Sequence, residues 1–132
     1  MKKTGLLHAE LSRVIAGMGH LDTLVIGDAG LPVPKGVPVI DLALKQGVPG
    51  FLETLEVVLS ELEVQDAIVA SEQAPLSADM HAAFTELWNA RTPVQEIPHE
   101  DFKTRMKDAK AVVRTGEFTP YSNVILVAGV VF

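Results

Sequence analysis

Residues 23–27 read TLVIG, and this run limits what the chain can fold into more than any other feature. Leu24, Val25 and Ile26 are apolar in succession, without the alternation of a strand that has one wet face. Such a run reads as a strand buried on both sides, as in a parallel sheet covered by helices. Ionisable residues stand at both of its ends, His20 and Asp22 before it and Asp28 after it. Asp28 also opens DAGLPVPKGVP, a loop by its Gly and Pro content.

The remaining periodicities supply the covering layers. Leu7, Leu11, Val14, Ile15 and Met18 recur at helical spacing, so residues 7–18 read as an amphipathic helix ended by Gly17 and Gly19. A short strand is expected at residues 39–42. A helix follows GVPG, with Leu52, Leu55, Val58, Leu59 and Leu62 inward and Glu53, Glu56 and Glu61 in water. Residues 67–70 read as a strand, and Met80, Phe84, Leu87 and Trp88 stripe the next helix. Residues 94–97 are a strand, Phe102, Met106 and Ala109 stripe a helix, and strands follow at 111–114 and 124–131. Strands alternating with helices predict one α/β domain over residues 1–132, layered α/β/α around a mainly parallel six-stranded sheet. No helix separates the last two strands, only TGEFTPYSN, so an antiparallel C-terminal strand paired with its predecessor is expected.

Composition removes several function classes. The net charge is −6 with no basic cluster, which argues against nucleic acid as a partner. No cysteine is present, so disulfide and thiolate chemistry are excluded and a reducing compartment fits. The N-terminus begins with two lysines like a leader, but Glu10 and Arg13 interrupt the apolar run it would need. No stretch reaches the roughly 18 apolar residues of a membrane helix. The four histidines show no HxH, HxxxH or HExxH spacing, so no metal site is expected. No Gly-rich phosphate loop and no nucleophile elbow occur.

Each polar residue has a structural reading beside a functional one. His20 follows a helix C-terminus, where a cation is favoured by the dipole. Asp28 suits a turn, but it also lies outside the carboxyl end of a strand, where open α/β sheets bind ligands. Asp22 reads as a turn cap. His99 starts a helix in IPHEDFK, and Lys103 lies one turn on, where it suits a solvated surface. Tyr121 and Asn123 sit on an inter-strand loop and suit recognition of hydroxyl groups. His8 and His81 read as surface helix residues. The residues by themselves describe an α/β domain with a polar small-molecule site made from Asp28, His99 and the Tyr121 loop.

GHLDTLVIGDAGLPVP and RTGEFTPYSNVILVAGVVF together resemble the D-ribose pyranase and L-fucose mutarotase family, and MKKTGLLHAEL resembles its ribose branch. The likeness spans the whole chain. It implies a cytoplasmic, cofactor-independent isomerase that interconverts β-D-ribopyranose and β-D-ribofuranose. It also implies a homo-oligomer of two stacked pentameric rings, a decamer, with sites between subunits. By position, His20 matches the proton donor. Asp28, His99 and Tyr121-Ser122-Asn123 match sugar-binding positions, Ser122 through its backbone, and Lys103 matches a basic residue near the sugar. The alternatives are a mutarotase for fucose or another sugar, and a non-catalytic ribose-binding protein.

One geometric consequence follows from the first strand. At about 3.3 Å per residue, His20 and Asp28 of one chain lie on the order of 20 Å apart. One pentose cannot touch both. If both serve one sugar, adjoining chains build the site, which a head-to-tail ring contact allows.

Overall fold

The structure, a computed structural model, describes residues 1–3 and 5–132. Among them a six-stranded sheet has the order β2-β5-β1-β6-β3-β4. The strands are β1 Thr23–Gly27, β2 Val39–Asp41, β3 Val64–Ala70, β4 Val94–Ile97, β5 Ala111–Arg114 and β6 Val124–Ala128. The helices are α1 Ala9–Ala16, α2 Phe51–Leu59, α3 Gln73–Leu76, α4 Ala78–Trp88 and α5 His99–Arg105, the last continued by a 3₁₀ turn at Met106–Asp108.

β1 is covered on both faces, as its apolar run requires: Leu24, Val25 and Ile26 are each 0% exposed. Alternate side chains point to opposite layers. Leu24 and Ile26 meet α1, α2 and α4 through Leu11, Val14, Phe51, Leu55, Phe84 and Trp88. Val25 meets the α5 layer through Phe102 and Met106, together with Leu31 of the following loop. Burial of each such side chain contributes roughly 1.5–3 kcal/mol, and that gain selects this register over a one-residue slip.

β1 pairs parallel with β5, β5 with β2, and β3 with β4. β6 runs antiparallel to both of its neighbours, β1 and β3. The last strand is therefore antiparallel as expected, but its expected partner is wrong. β5 and β6 do not pair, because β1 lies between them. The loop between them steps over the end of β1 instead. Thr115 bonds the Gly27 carbonyl through its backbone N–H (3.0 Å) and its hydroxyl (2.8 Å). The Ala29 N–H donates to the Glu117 carbonyl at 2.8 Å. An antiparallel strand set among parallel ones begins at the edge where the others finish. Residues 121–123 thus arrive beside Asp28.

Several ends differ from the periodicity. α1 starts at Ala9 because the His8 imidazole Nδ1 accepts the Leu11 N–H, leaving Leu7 67% exposed and off the helix. β6 stops at Ala128, where the chain leaves the sheet and Val130 and Val131 become exposed. β3 begins three residues earlier than its apolar stretch, because Val64 still pairs with Ala128 across a bulge.

Candidate functional site

A cavity of about 590 Å³ opens at the carboxyl edge of the sheet. Its size lies within the range of small-ligand pockets. Its base is Asp28, just past β1, and Asn123, just before β6. The two side chains lock reciprocally: the Asn123 amide NH₂ donates to Asp28 Oδ2 at 3.0 Å, and the Asp28 backbone N–H donates to Asn123 Oδ1 at 2.8 Å. Asp28 Oδ1 accepts the Gly30 N–H at 3.0 Å, the turn bond its sequence context predicts. One wall is formed by His99, the first residue of α5, and Tyr121, whose rings meet edge-on at 90° with centroids 5.2 Å apart. The other wall is Arg114, Glu117 and Phe118, with Leu31 and Pro32 at the rim.

Burial raises the Asp28 carboxyl above the usual range for aspartate, and the bonds from Gly30 and Asn123 only partly offset it. A carboxylate held this way is a stronger hydrogen-bond acceptor and a better base than one in water. The shift also makes a stability prediction. Below the unfolded-state value both states are protonated and no penalty arises. As pH rises toward and through the folded value, the fold bears the cost of the buried charge. Thermal unfolding across a pH series should therefore show the native protein losing ground to Asp28→Asn as pH passes from the ordinary aspartate value to just above it. A gap independent of pH would contradict the buried carboxylate.

The structure joins four of the sequence-derived residues around one cavity: Asp28, His99, Tyr121 and Asn123. Ser122 lies directly beneath, fully buried, with its hydroxyl unpartnered among the described residues. Lys103 stays off the cavity lining and pairs with Glu100 at 2.7 Å. His20 is exposed and off the lining too. Its Nε2 meets Gln65 Oε1 at 2.7 Å, and the next residue, Leu21, donates its N–H to Ala128 at the far end of β6. β1 separates His20 from Asp28, as strand geometry requires. Asp22 holds the turn there by accepting the Gly19 N–H at 2.8 Å, and that bond lowers its pKa.

Sequence reasoning missed Arg114, Glu117 and Phe118. Arg114 Nε donates to the Ala29 carbonyl at 3.0 Å, while Nη1 pairs with both Asp41 oxygens at 3.0 and 3.1 Å. It anchors the rim loop to β2. Glu117 Oε1 accepts the Phe51 N–H at 3.2 Å, and so ties the site loop to the start of α2. The signal was available: three charged or aromatic residues within RTGEF, next to a strand end.

A model of the RbsD / FucU transport protein family matches residues 1–131. The D-ribose pyranases of Coprothermobacter proteolyticus and Symbiobacterium thermophilum are 52% and 54% identical to the chain over 132 residues, covering all of both partners. The structure of Bacillus subtilis RbsD complexed with D-ribose superimposes with a TM-score of 0.96 at 47% identity, covering 100% of each chain. A fucose mutarotase from Streptococcus pneumoniae, in complex with L-fucose, shares the fold at a TM-score of 0.79 and 23% identity, covering 96% of this chain and 95% of that one.

Proposed function

The chain belongs to the RbsD / FucU transport protein family, and from that premise we propose that it is an isomerase interconverting β-D-ribopyranose and β-D-ribofuranose, the reaction of a D-ribose pyranase. The observation that carries this reading is the convergence of Asp28, His99, Tyr121 and Asn123 on one cavity, in a chain that superimposes end to end on a ribose-bound relative.

The reaction moves protons only. The ring opens when the ring oxygen gains a proton and the anomeric hydroxyl loses one, and it closes through a different hydroxyl. Histidine suits the donor role because its ordinary pKa lies near neutrality. A positioned acid–base pair contributes roughly 10²–10⁴-fold, about 3–5 kcal/mol of barrier. In this reading Asp28 accepts hydrogen bonds from sugar hydroxyls and serves as base. His99, Tyr121 and Asn123 hold the other hydroxyls, and Ser122 contributes backbone. Lys103, one turn beyond His99, pairs with Glu100 off the cavity lining and is given no contact with the sugar in this reading.

The proton donor, His20, comes from an adjoining copy. A head-to-tail contact brings the amino edge of one sheet against the carboxyl edge of the next, and repeated contacts close a ring. Exposed apolar side chains stand at both edges: Leu21 beside His20 is 60% exposed, and Phe118 on the cavity wall is 61% exposed. Covering these two groups supports the head-to-tail contact; a decamer of two stacked pentamers is the assembly that the family resemblance implies. A cysteine-free chain acting on a free sugar fits the cytoplasm, and among the described residues no helix is long and apolar enough to cross a membrane.

Saturation-transfer NMR of equilibrated D-ribose tests the activity. Irradiating a pyranose anomeric signal should deplete the furanose signals far faster with the protein than without it, and L-fucose anomers should respond much less. Line broadening of ribose with no faster exchange would mean a sugar-binding protein. Equal or greater action on fucose would move the substrate.

A further inference from the structure

Tyr121 holds a backbone conformation that its side chain does not favour. Its φ is 61°, in the left-handed region that non-glycine residues rarely adopt. Its carbonyl is held by two donors. The Asn123 N–H, within the cavity lining, donates to it at 2.9 Å. The second donor comes from outside the cavity: Gln73 is 0% exposed, and its amide NH₂ donates to the same carbonyl at 2.9 Å. Its amide oxygen faces His81 Nδ1 at 2.9 Å. A carbonyl can only accept, so the amide is oriented unambiguously, and His81 must carry its proton on Nδ1. His81 is therefore no surface bystander: it is half-buried and fixes the strut from behind. Ser77 adds a second prop, its hydroxyl donating to the Pro120 carbonyl at 2.6 Å.

The residue before Gln73 holds the backbone of His99, on the other side of the ring pair. Both Glu72 carboxylate oxygens accept the His99 backbone N–H, at 3.0 and 3.2 Å. Neither Glu72 nor Gln73 lines the cavity. Two adjacent side chains where the chain passes from β3 into α3 thus hold the backbones of the two residues whose rings meet edge-on across the wall.

We propose that Glu72 and Gln73 are positioning residues of the sugar site, setting the His99–Tyr121 ring pair from outside the cavity. The role rests on reading that cavity as the ribose site. Displacements of about 1 Å in a binding group can cost up to 10²-fold, so the effect is large although neither side chain touches sugar.

Gln73→Met keeps the volume and removes the donor. It should raise the KM for ribose roughly 10-fold while kcat stays within about threefold, the pattern of lost uniform binding. Glu72→Met should move KM the same way, and Glu72→Gln, whose amide oxygen still accepts, should restore it. The chain has one tyrosine, so fluorotyrosine gives a single fluorine NMR signal, which should shift or broaden in Gln73→Met without any sugar present. A folded Gln73→Met protein with unchanged KM and an unchanged fluorine signal overturns the proposal. So does a neutral His81 protonated on Nε2 in nitrogen NMR of the native protein, a measurement that stands even if Gln73→Met fails to fold. If the native protein does not exchange ribose, the functional reading fails, while the fluorine and tautomer results still decide the strut.

Discussion

His20→Ala should lower the ribose exchange rate by roughly 10²–10⁴-fold, the range for loss of a positioned acid, while leaving ribose binding largely in place. The imidazole is exposed and, among the described residues, bonded only to Gln65, so its removal costs the fold little. Asp28→Asn should be comparably inactive for a different reason, because an amide placed against the Asn123 NH₂ and the Gly30 N–H no longer offers the sugar an anionic acceptor. The informative experiment combines the two. If His20 acts in the neighbour's site, unfolding and reassembling equal amounts of both variants creates contacts that join an intact His20 to an intact Asp28. With random head-to-tail mixing about a quarter of the sites are whole, and about a quarter of native activity should return. If one chain supplied both groups, every site in the mixture would stay damaged and no activity would return. That outcome would end the shared-site account.

The second large effect is on stability. A Cβ added at Gly116 would lie 2.5 Å from the Lys45 carbonyl oxygen, 2.6 Å from that of Val48 and 2.7 Å from the Val48 nitrogen. All three are backbone atoms, which cannot swing aside as a side-chain tip can. The same contact is fastened from both directions: Gly116 donates to the Pro49 carbonyl at 2.8 Å and accepts from the Gly47 N–H at 2.6 Å. Gly116→Ala must push the Lys45–Val48 turn away and stretch these bonds. Overpacking and one or two weakened hydrogen bonds should cost about 2–4 kcal/mol, read as a lower urea midpoint at unchanged slope. Gly50→Ala is the control. Its Cβ would meet nothing nearer than 3.6 Å, so only the helix-cap preference changes, by under about 1 kcal/mol. Equal midpoints for the two variants would mean that the turn yields freely. Because Gly116 sits between Arg114 and Glu117, the same substitution should also disturb the outer wall of the cavity.

These two effects lie at different distances from what the residues announce. His20 was marked as a candidate proton donor only through the family resemblance that GHLDTLVIGDAGLP carries, and its separation from Asp28 followed from strand rise alone. Gly116 carried no such sign. Its constraint comes from a turn about 70 positions away in the chain, and a glycine in a loop reads as ordinary punctuation. Gln73 and His81 were opaque for a related reason. Gln73 opens the four-residue α3 and His81 reads as an outer residue of α4, and the use of both depends on where the loop before β6 lands.

The sequence by itself determined the local elements and the family. β1 and β5 fall at the residues their apolar runs mark, because exposure on each face is written into successive side chains. Only the tertiary structure decided that β6 lies between β1 and β3, that Arg114, Glu117 and Phe118 enclose the cavity, and that a buried amide holds Tyr121. Strand partners and loop landings are long-range choices settled by packing among distant segments, and no local periodicity records them.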